Sequence, residues 1–274
     1  MLRNTCVLIT AISFRTGFGF VKSPRVLVTQ RGFCIATTKK FETEFEPFVS
    51  SFPQLNEHQF EQLHDFCYEV SDWNTKVNLI SRKDIDNLVV RHLMPSLSIG
   101  LIQEFLPTDS VIDVGTGGGF PGIPLAIAFP HTSFTLLDSS SKKMGIVESI
   151  VRKLKLQNVE VVAKRAEEHK NQTFNFILGR AVSSLPSFLG WTSHLISRRN
   201  DNAHGGVVYL TGGDVTSDLR SLAVNTFSTH NVSDLVRGLE SDKYVLRIPT
   251  GQVPVIRGRR RFDPLNSRDK LKHE

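Results

Sequence analysis

A glycine-rich loop that follows a short apolar run is the part of the chain whose residue types most directly suggest chemistry. The run Val111–Val114 contains one acid, Asp113, and it is followed by Gly115, Gly117, Gly118, Gly119 and Gly122. Glycine allows sharp turns and lets a ligand approach the main chain without interference from a Cβ atom. A helix predicted to begin just beyond the loop would offer free N–H groups and a positive dipole end. This order of elements predicts a site for a nucleotide-like ligand.

Two carboxylates distinguish between the ligands that such a loop can serve. Asp138 ends a second predicted strand, 23 residues after Gly115, where a carboxylate can accept hydrogen bonds from ribose hydroxyls. Asp113 lies two residues before the first glycine, where its charge would repel a pyrophosphate but attract a sulfonium and an ammonium group. We therefore favour S-adenosylmethionine as the ligand of Asp113, Gly115 and Gly117. A nicotinamide dinucleotide, and with it a Rossmann oxidoreductase, is the alternative.

The residues available for catalysis restrict the class of methyl acceptor. Carbon methylation of pyrimidines generally needs a cysteine nucleophile, and no cysteine lies beyond Cys67. The fourth predicted strand is followed by Gly179-Arg180-Ala181, whereas enzymes that methylate exocyclic amines often carry Asn/Asp-Pro-Pro-aromatic there. An acceptor that is already nucleophilic, such as guanine N7, needs alignment more than a general base. Arg180 is our candidate catalytic residue, and the absence of a CxxC pair predicts no metal site.

The elements that would position these residues alternate in type. Helical periodicity predicts a helix over about Glu57–Asn74, after a capping box at Asn56 and Gln59, and a second over Asp84–Phe105, bent or broken near Pro95. Strands are predicted at residues 110–114, 133–138, 159–163, 174–178, 207–210 and 245–248, with helices over 123–128, 142–156, 185–197 and from about residue 214. This alternation predicts a doubly wound, mostly parallel sheet that binds ligands at the carboxyl ends of its strands. His92 and Trp73, on apolar helix faces, are interpreted as packing residues.

Charge is distributed unevenly between the ends of the chain. The net charge is +6, but residues 1–41 hold seven basic residues and no acid, which leaves 26 basic residues against 27 acids elsewhere. A basic, acid-free N-terminus is typical of an organellar transit peptide, and a basic arm that binds RNA or a membrane surface is the alternative. We expect a leader over 1–41, a helical extension over 42–106, a catalytic domain over 107–250 and a basic tail over 251–274 that contains Arg259-Arg260-Arg261. No apolar run reaches the ~18 residues that a membrane span needs.

The sequence around the glycine loop closely resembles that of the bacterial 16S rRNA guanine-N7 methyltransferase G family, also called glucose-inhibited division protein B. The resemblance covers about residues 56–215. Its most specific part is Phe120-Pro121-Gly122-Ile123-Pro124 after the glycines, and it also includes Trp73-Asn74, Val77-Asn78-Leu79, Arg91-His92-Leu93, Leu136-Leu137-Asp138-Ser139, Lys142-Lys143, Arg165-Ala166-Glu167-Glu168 and Arg180-Ala181.

The resemblance implies a class I S-adenosylmethionine-dependent methyltransferase fold with an N-terminal helical extension, acting on one guanine N7 of small-subunit rRNA. It implies that Gly115 and Phe120 contact the donor and that Asp138 binds its ribose. Ala166 and Glu167 would border the adenine, and Arg180 would lie near the donor and the target base.

The chain departs from the family pattern at one position on the substrate side. Where bacterial members read Leu-Lys-Gly, this chain has Leu210-Thr211-Gly212. A catalytically silent rRNA-binding assembly factor is therefore a further alternative to an enzyme. With the leader, the resemblance predicts a monomer that acts on the small ribosomal subunit of an organelle, the mitochondrion being favoured over the plastid.

Overall fold

A computed structural model describes residues 35–170, 172–198 and 204–256 of the 274-residue chain. Most of the predicted leader and the basic run Arg259-Arg260-Arg261 lie outside these residues. Within the described ranges no helix is long and apolar enough to cross a membrane.

A seven-stranded sheet forms the centre of the fold. Its strands are β1 Ser110–Val114, β2 Ser133–Asp138, β3 Val159–Ala163, β4 Phe176–Arg180, β5 Gly206–Gly212, β6 Ser228–Asn231 and β7 Lys243–Pro249. Their spatial order is β3-β2-β1-β4-β5-β7-β6. The first five strands are parallel to one another, whereas β7 is antiparallel to both β5 and β6. The prediction of a mostly parallel, doubly wound sheet is therefore confirmed, with the topology of class I methyltransferases.

Helices cover both faces of this sheet. They are α1 Ile35–Phe45, α2 Glu57–Asn74, α3 Met94–Ile102, α4 Gly122–Ala128, α5 Ser141–Lys153, α6 Leu185–Thr192, α7 Thr216–Ser221 and α8 Val232–Leu235. Because successive strand residues point to opposite faces, the strands contribute to two cores. Val111 and Leu178 belong to the core on the α2–α5 side, and Ile112 and Ile177 belong to the core with α6.

The N-terminal helices are packed into the first of these cores. Helix α2 has the predicted bounds and the predicted capping box, in which Asn56 and Gln59 bond each other's backbone N–H groups. Gln59 also donates to the carbonyl of Ile127 at 2.7 Å, which ties α2 to α4. Helix α1 begins within the predicted leader, and Phe41 and Phe45 stack at 5.4 Å and are buried.

The ends of several predicted elements were wrong. The stretch predicted to be helical over Asp84–Phe105 contains a 3-10 turn at Ile85–Asn87, a π-helical turn at Val89–Leu93 and α3, which ends at Ile102. The predicted break near Pro95 is confirmed, since α3 begins at Met94 and its first turn tolerates the missing N–H of Pro95.

The fourth strand and the sixth helix also differ from their predicted spans. Strand β4 runs over Phe176–Arg180, since Asn175 instead accepts a hydrogen bond from Ser110 through its side chain. Helix α6 ends at Thr192, because a 3-10 turn follows and Ile196 then pairs with Phe174.

Candidate functional site

The glycine loop adopts backbone conformations that L side chains rarely reach. Gly115, Gly117 and Gly119 have φ values of +74°, +59° and +94°. A Cβ atom on Gly115 would also lie 2.8 Å from the side chain of Val182, which follows β4. The N–H of Gly115 donates to the carbonyl of Leu137 at 2.7 Å, so the loop is fixed against β2. These constraints explain why glycine is needed here, independently of any ligand.

Asp113 is buried beneath the loop. Its Oδ2 accepts hydrogen bonds from the Thr116 hydroxyl at 2.6 Å and from the Gly122 N–H at 2.9 Å. Its Oδ1 has no hydrogen-bond partner among the described atoms. Burial raises the pKa of Asp113 to about 6, and these two hydrogen bonds and the charge of Arg180 oppose the rise. The carboxylate thus holds both ends of the loop, and a direct contact with a donor stays a prediction.

Asp138 lies at the end of β2 and is partly exposed. Its Oδ2 accepts from the Gly117 N–H at 3.1 Å, and its Oδ1 accepts from the Ser140 N–H at 2.9 Å. Each oxygen retains a lone pair for a further donor. The carboxylate is therefore oriented by the two loops that it joins, as a ribose-binding acid requires.

A cleft opens at the carboxyl ends of β1, β2 and β3. Among its lining residues are the predicted Gly115, Asp138, Ala166 and Glu167, together with Val114, Leu137, Ser139, Lys164, Arg165, Val182 and Trp191. Ala166 is buried and Glu167 is exposed. The cleft combines apolar side chains, a carboxylate and backbone brought close by glycine, and these groups suit the adenine, ribose and main-chain contacts of S-adenosylmethionine. Val182 and Trp191 were missed by the sequence reasoning, since neither belongs to a polar motif.

Arg180 and Phe120 meet on the other side of this edge. Arg180 follows Leu178 by two residues on β4, so its side chain lies on the α2–α5 face of the sheet. Its guanidinium carbon is 5.1 Å from the centre of the Phe120 ring, a cation–π distance. Phe120 is 1% exposed, and its ring is also 4.8 Å from that of Phe66. The predicted contact between Phe120 and a donor is not tested by this packing.

Burial perturbs Arg180 without removing its charge. Burial lowers the pKa of Arg180 to about 10, while the charges of Asp113 and Asp84 act in the opposite direction. A guanidinium with this pKa is still protonated at pH 7. It therefore keeps its N–H donors at the edge of the sheet where the glycine loop lies.

His92 is in direct contact with Arg180. One guanidinium nitrogen, Nη1, lies 2.8 Å from His92 Nδ1. The imidazole is 9% exposed, and its centre is 5.5 Å from that of the Phe120 ring. The packing role predicted for His92 is confirmed, but the sequence did not reveal that its polar atom contacts the candidate catalytic arginine.

The segment after α2 covers the glycine loop. Asn74 accepts from the N–H groups of Leu79 and Ile80 at 2.8 and 3.0 Å. This places Leu79 3.1 Å from the position that a Cβ atom on Gly118 would occupy. Asn74 therefore fixes a cover over the loop, a role that its type alone did not indicate.

Two lysines and the threonine at which the chain departs from the family pattern lie around the site. Lys142 is exposed and Lys143 is partly buried in the first turn of α5. Thr211 is partly exposed on β5, one residue beyond Leu210, which is the register partner of Arg180. Among the described residues no cluster of histidine, cysteine, aspartate and glutamate could hold a metal ion, and the expectation of no metal site stays a prediction.

Comparisons with known proteins identify one family. The model of a family described as rRNA small subunit methyltransferase G matches residues 59–235. The chain is similar to "Ribosomal RNA small subunit methyltransferase G" of Flavobacterium johnsoniae, with 44% identity over 182 residues, 66% of this chain and 87% of that protein. The protein of the same name from Bacteroides fragilis is 42% identical over 184 residues, 67% of this chain and 88% of its own length.

Solved structures give weaker similarities. A ribosomal protein L11 methylase from Lactobacillus delbrueckii subsp. bulgaricus has a TM-score of 0.43 and 16% identity, covering 56% of this chain and 75% of its own. A precorrin-6y C5,15-methyltransferase from Geobacter metallireducens has a TM-score of 0.42 and 11% identity, covering 62% and 90%.

Proposed function

Because the chain belongs to the rRNA small subunit methyltransferase G family, we propose that it transfers a methyl group to N7 of a guanine in small-subunit rRNA. The methyl donor of the family is S-adenosylmethionine, which when bound supplies a methyl group on a sulfonium. Asp138 would hold the ribose, Ala166 and Glu167 would border the adenine, and the backbone at Gly115 and Gly117 would lie against the rest of the donor.

The observation that supports N7 best is the kind of residue found beside the glycine loop. Arg180 is a charged hydrogen-bond donor and has no accepting atom, so it cannot remove a proton. Guanine N7 has a free lone pair and loses no proton when it is methylated. An acceptor of this kind needs only to be held in place, and arginine donors suit guanine O6 and N7. Here O6 would receive the contact, since N7 must stay free to react.

The test is transfer of labelled methyl groups to RNA. The full-length protein would be incubated with small ribosomal subunits and labelled donor, and N7-methylguanine would be mapped by chain cleavage at the modified base. We expect one labelled guanine with the wild type and loss of label with Arg180→Leu.

A matched control separates this effect from general damage. Arg247 is also a partly buried arginine; it bonds Gln103 and the His204 carbonyl, towards the opposite end of β5. Arg247→Leu should lower stability but leave the labelling pattern unchanged. Label on an exocyclic amine or on a pyrimidine would overturn the N7 proposal.

The organellar setting is a separate part of the proposal. It is supported by the composition of residues 1–41, which hold seven basic residues and no acid. A fluorescent fusion of residues 1–45 should enter mitochondria, and entry into plastids would change the compartment but keep the import proposal. A fusion that stays in the cytosol would contradict both.

One observation favours the silent assembly factor as a second candidate. Thr211 stands beside the register partner of Arg180, at the position where the resemblance predicts a lysine. A silent factor would bind the subunit without labelling it. In that case Thr211→Lys should restore transfer, whereas an active wild-type protein excludes this candidate.

A further inference from the structure

Three side chains form a polar chain that ends at the candidate catalytic arginine. Asp84 Oδ2 lies 3.7 Å from His92 Nε2, and His92 Nδ1 lies 2.8 Å from Arg180 Nη1. The other oxygen of Asp84, Oδ1, accepts from Arg91 Nη1 at 2.7 Å. These contacts therefore connect the segment before α3 to the end of β4.

The contact with Arg180 determines which ring nitrogen of His92 carries the hydrogen. A guanidinium donates hydrogen bonds and cannot accept them, so His92 Nδ1 must be the acceptor. The imidazole is then neutral with its hydrogen on Nε2, the atom that faces the Asp84 carboxylate. Burial lowers the pKa of His92 to about 3, and the charge of Arg180 acts in the same direction, while Asp84 opposes both. At pH 7 the imidazole is neutral, as the geometry requires.

The surroundings leave the arginine few other positions. The Phe120 ring lies against both the guanidinium and the imidazole, at 5.1 and 5.5 Å. The backbone of His92 is also fixed, because the Ser96 hydroxyl donates a hydrogen bond to the His92 carbonyl at 2.6 Å. The imidazole accepts one of the five N–H donors of Arg180 and leaves the others available.

We propose that Asp84 and His92 are positioning residues, which hold Arg180 on the Phe120 face so that its free donors point at the methyl acceptor. His92 acts directly on the guanidinium, and Asp84 acts through His92, because its charge 3.7 Å from Nε2 favours the tautomer that the contact with Arg180 requires. The kinetic part of this proposal rests on the methyl transfer proposed above. The tautomer of His92 does not rest on it, since it is a property of the protein alone.

The first experiment measures that tautomer by NMR. The ¹⁵N-labelled imidazoles of the full-length protein would be recorded at pH 7, and the signals of His92 would be identified by their loss in His92→Asn. We expect a neutral ring with the hydrogen on Nε2, and a change of its ¹⁵N shifts in both Asp84→Asn and Arg180→Leu. A protonated ring, or a hydrogen on Nδ1, would overturn the proposal even if the protein transfers no methyl group.

The second experiment separates positioning from folding. In His92→Leu we expect kcat to fall on the order of 10- to 100-fold, as misplacement of a catalytic group by about 1 Å can do. KM for the RNA and the Kd of the donor should change by less than about twofold, because backbone phosphates provide much of RNA affinity. His92→Asn, which offers an oxygen near the Nδ1 position, should recover most of the lost kcat.

An Asp–His pair at the other end of the sheet provides the matched control. His204 Nε2 lies 2.9 Å from Asp109 Oδ2, and its ring packs edge-on against Phe176 at 5.2 Å. His204→Leu should therefore lower the melting temperature but leave kcat unchanged. If His92→Leu keeps the wild-type kcat, or if His92→Asn fails to recover it while folding normally, His92 does not position Arg180.

Discussion

The buried carboxyl of Asp113 allows the strongest quantitative test of the site. The perturbation is Asp113→Asn, which preserves the shape of the side chain. The amide oxygen can accept from Thr116 and Gly122, as Oδ2 does at 2.6 and 2.9 Å. The amide NH₂ then occupies the position of Oδ1, which has no partner among the described atoms. The substitution removes a buried charge without breaking either hydrogen bond.

The expected size of the effect follows from the shift of the pKa of Asp113. Burial raises this pKa from 3.8 to about 6 in the folded protein. Between these pH values the folded state binds a proton that the unfolded state has released, so the free energy of unfolding falls as pH rises. At about 1.4 kcal/mol per pH unit the whole loss amounts to about 3 kcal/mol, of which about 2.4 kcal/mol falls between pH 4 and pH 8 because the unfolded state is already half ionised near pH 4. The asparagine variant lacks this dependence.

The assay is urea unfolding of both proteins at a series of pH values from 4 to 8. The difference in free energy of unfolding, variant minus wild type, should rise by about 2.4 kcal/mol across that range. Asp72→Asn, an exposed substitution on α2, reports the background effect of losing a surface carboxylate. Parallel curves for wild type and Asp113→Asn would refute the argument. Donor affinity in the same buffers then shows whether the ionised carboxylate also attracts the cationic donor, in which case only wild-type affinity improves above pH 6.

Three other substitutions or treatments test separate parts of the structure. Gly115→Val should abolish donor binding in calorimetry, because Gly115 has a φ angle of +74° and a Cβ atom there would lie 2.8 Å from the side chain of Val182. Gly145→Ala should leave donor binding intact, since no atom lies within 4 Å of the new Cβ atom. Gln59→Ala should cost about 1–3 kcal/mol in urea unfolding, since it leaves the Ile127 carbonyl unpaired, but the Kd of the donor should not change. Cys67 is buried, and burial raises the pKa of its thiol well above its usual value. In a Cys6→Ser, Cys34→Ser background, iodoacetamide should therefore label Cys67 only after unfolding. Rapid labelling of the native protein would contradict the packing of α2.

Local signals in the sequence were sufficient for most elements of the fold. The capping box at Asn56 and the apolar spacing after it gave both ends of α2, and β1 and β3 have their predicted bounds. These elements are specified by residues close together in the chain. The antiparallel strand β7 was located by its apolar run, but its direction depends on pairing with β5 and β6, which the run itself does not specify. Residues 226–241, which gave no prediction, form β6 and α8 against that strand.

The site was predictable to the extent that it depends on one strand and the loop after it. Gly115, Asp138 and Ala166 lie in one cleft because the carboxyl ends of parallel strands meet at one edge. The environment of Asp113 was not predictable, because its burial depends on Thr116 and Gly122 folding back over it. The same holds for His92 and Arg180, which are 88 residues apart in sequence. Their contact depends on how two elements pack, and no spacing rule connects them.

The N-terminal extension is part of the site as well as of the core. Its segment before α3 supplies Asp84 and His92, and Asn74 at the end of α2 fixes Leu79 over the glycine loop. The predicted domain boundary at residue 106 therefore separates residues of the extension from residues of the sheet, although both groups meet at the glycine loop. A sheet edge alone would present Arg180 and the loop to solvent on the α2–α5 face. Because the extension covers that face, the methyl acceptor of the proposed reaction would be restricted to the positions that the Arg180 guanidinium can still reach.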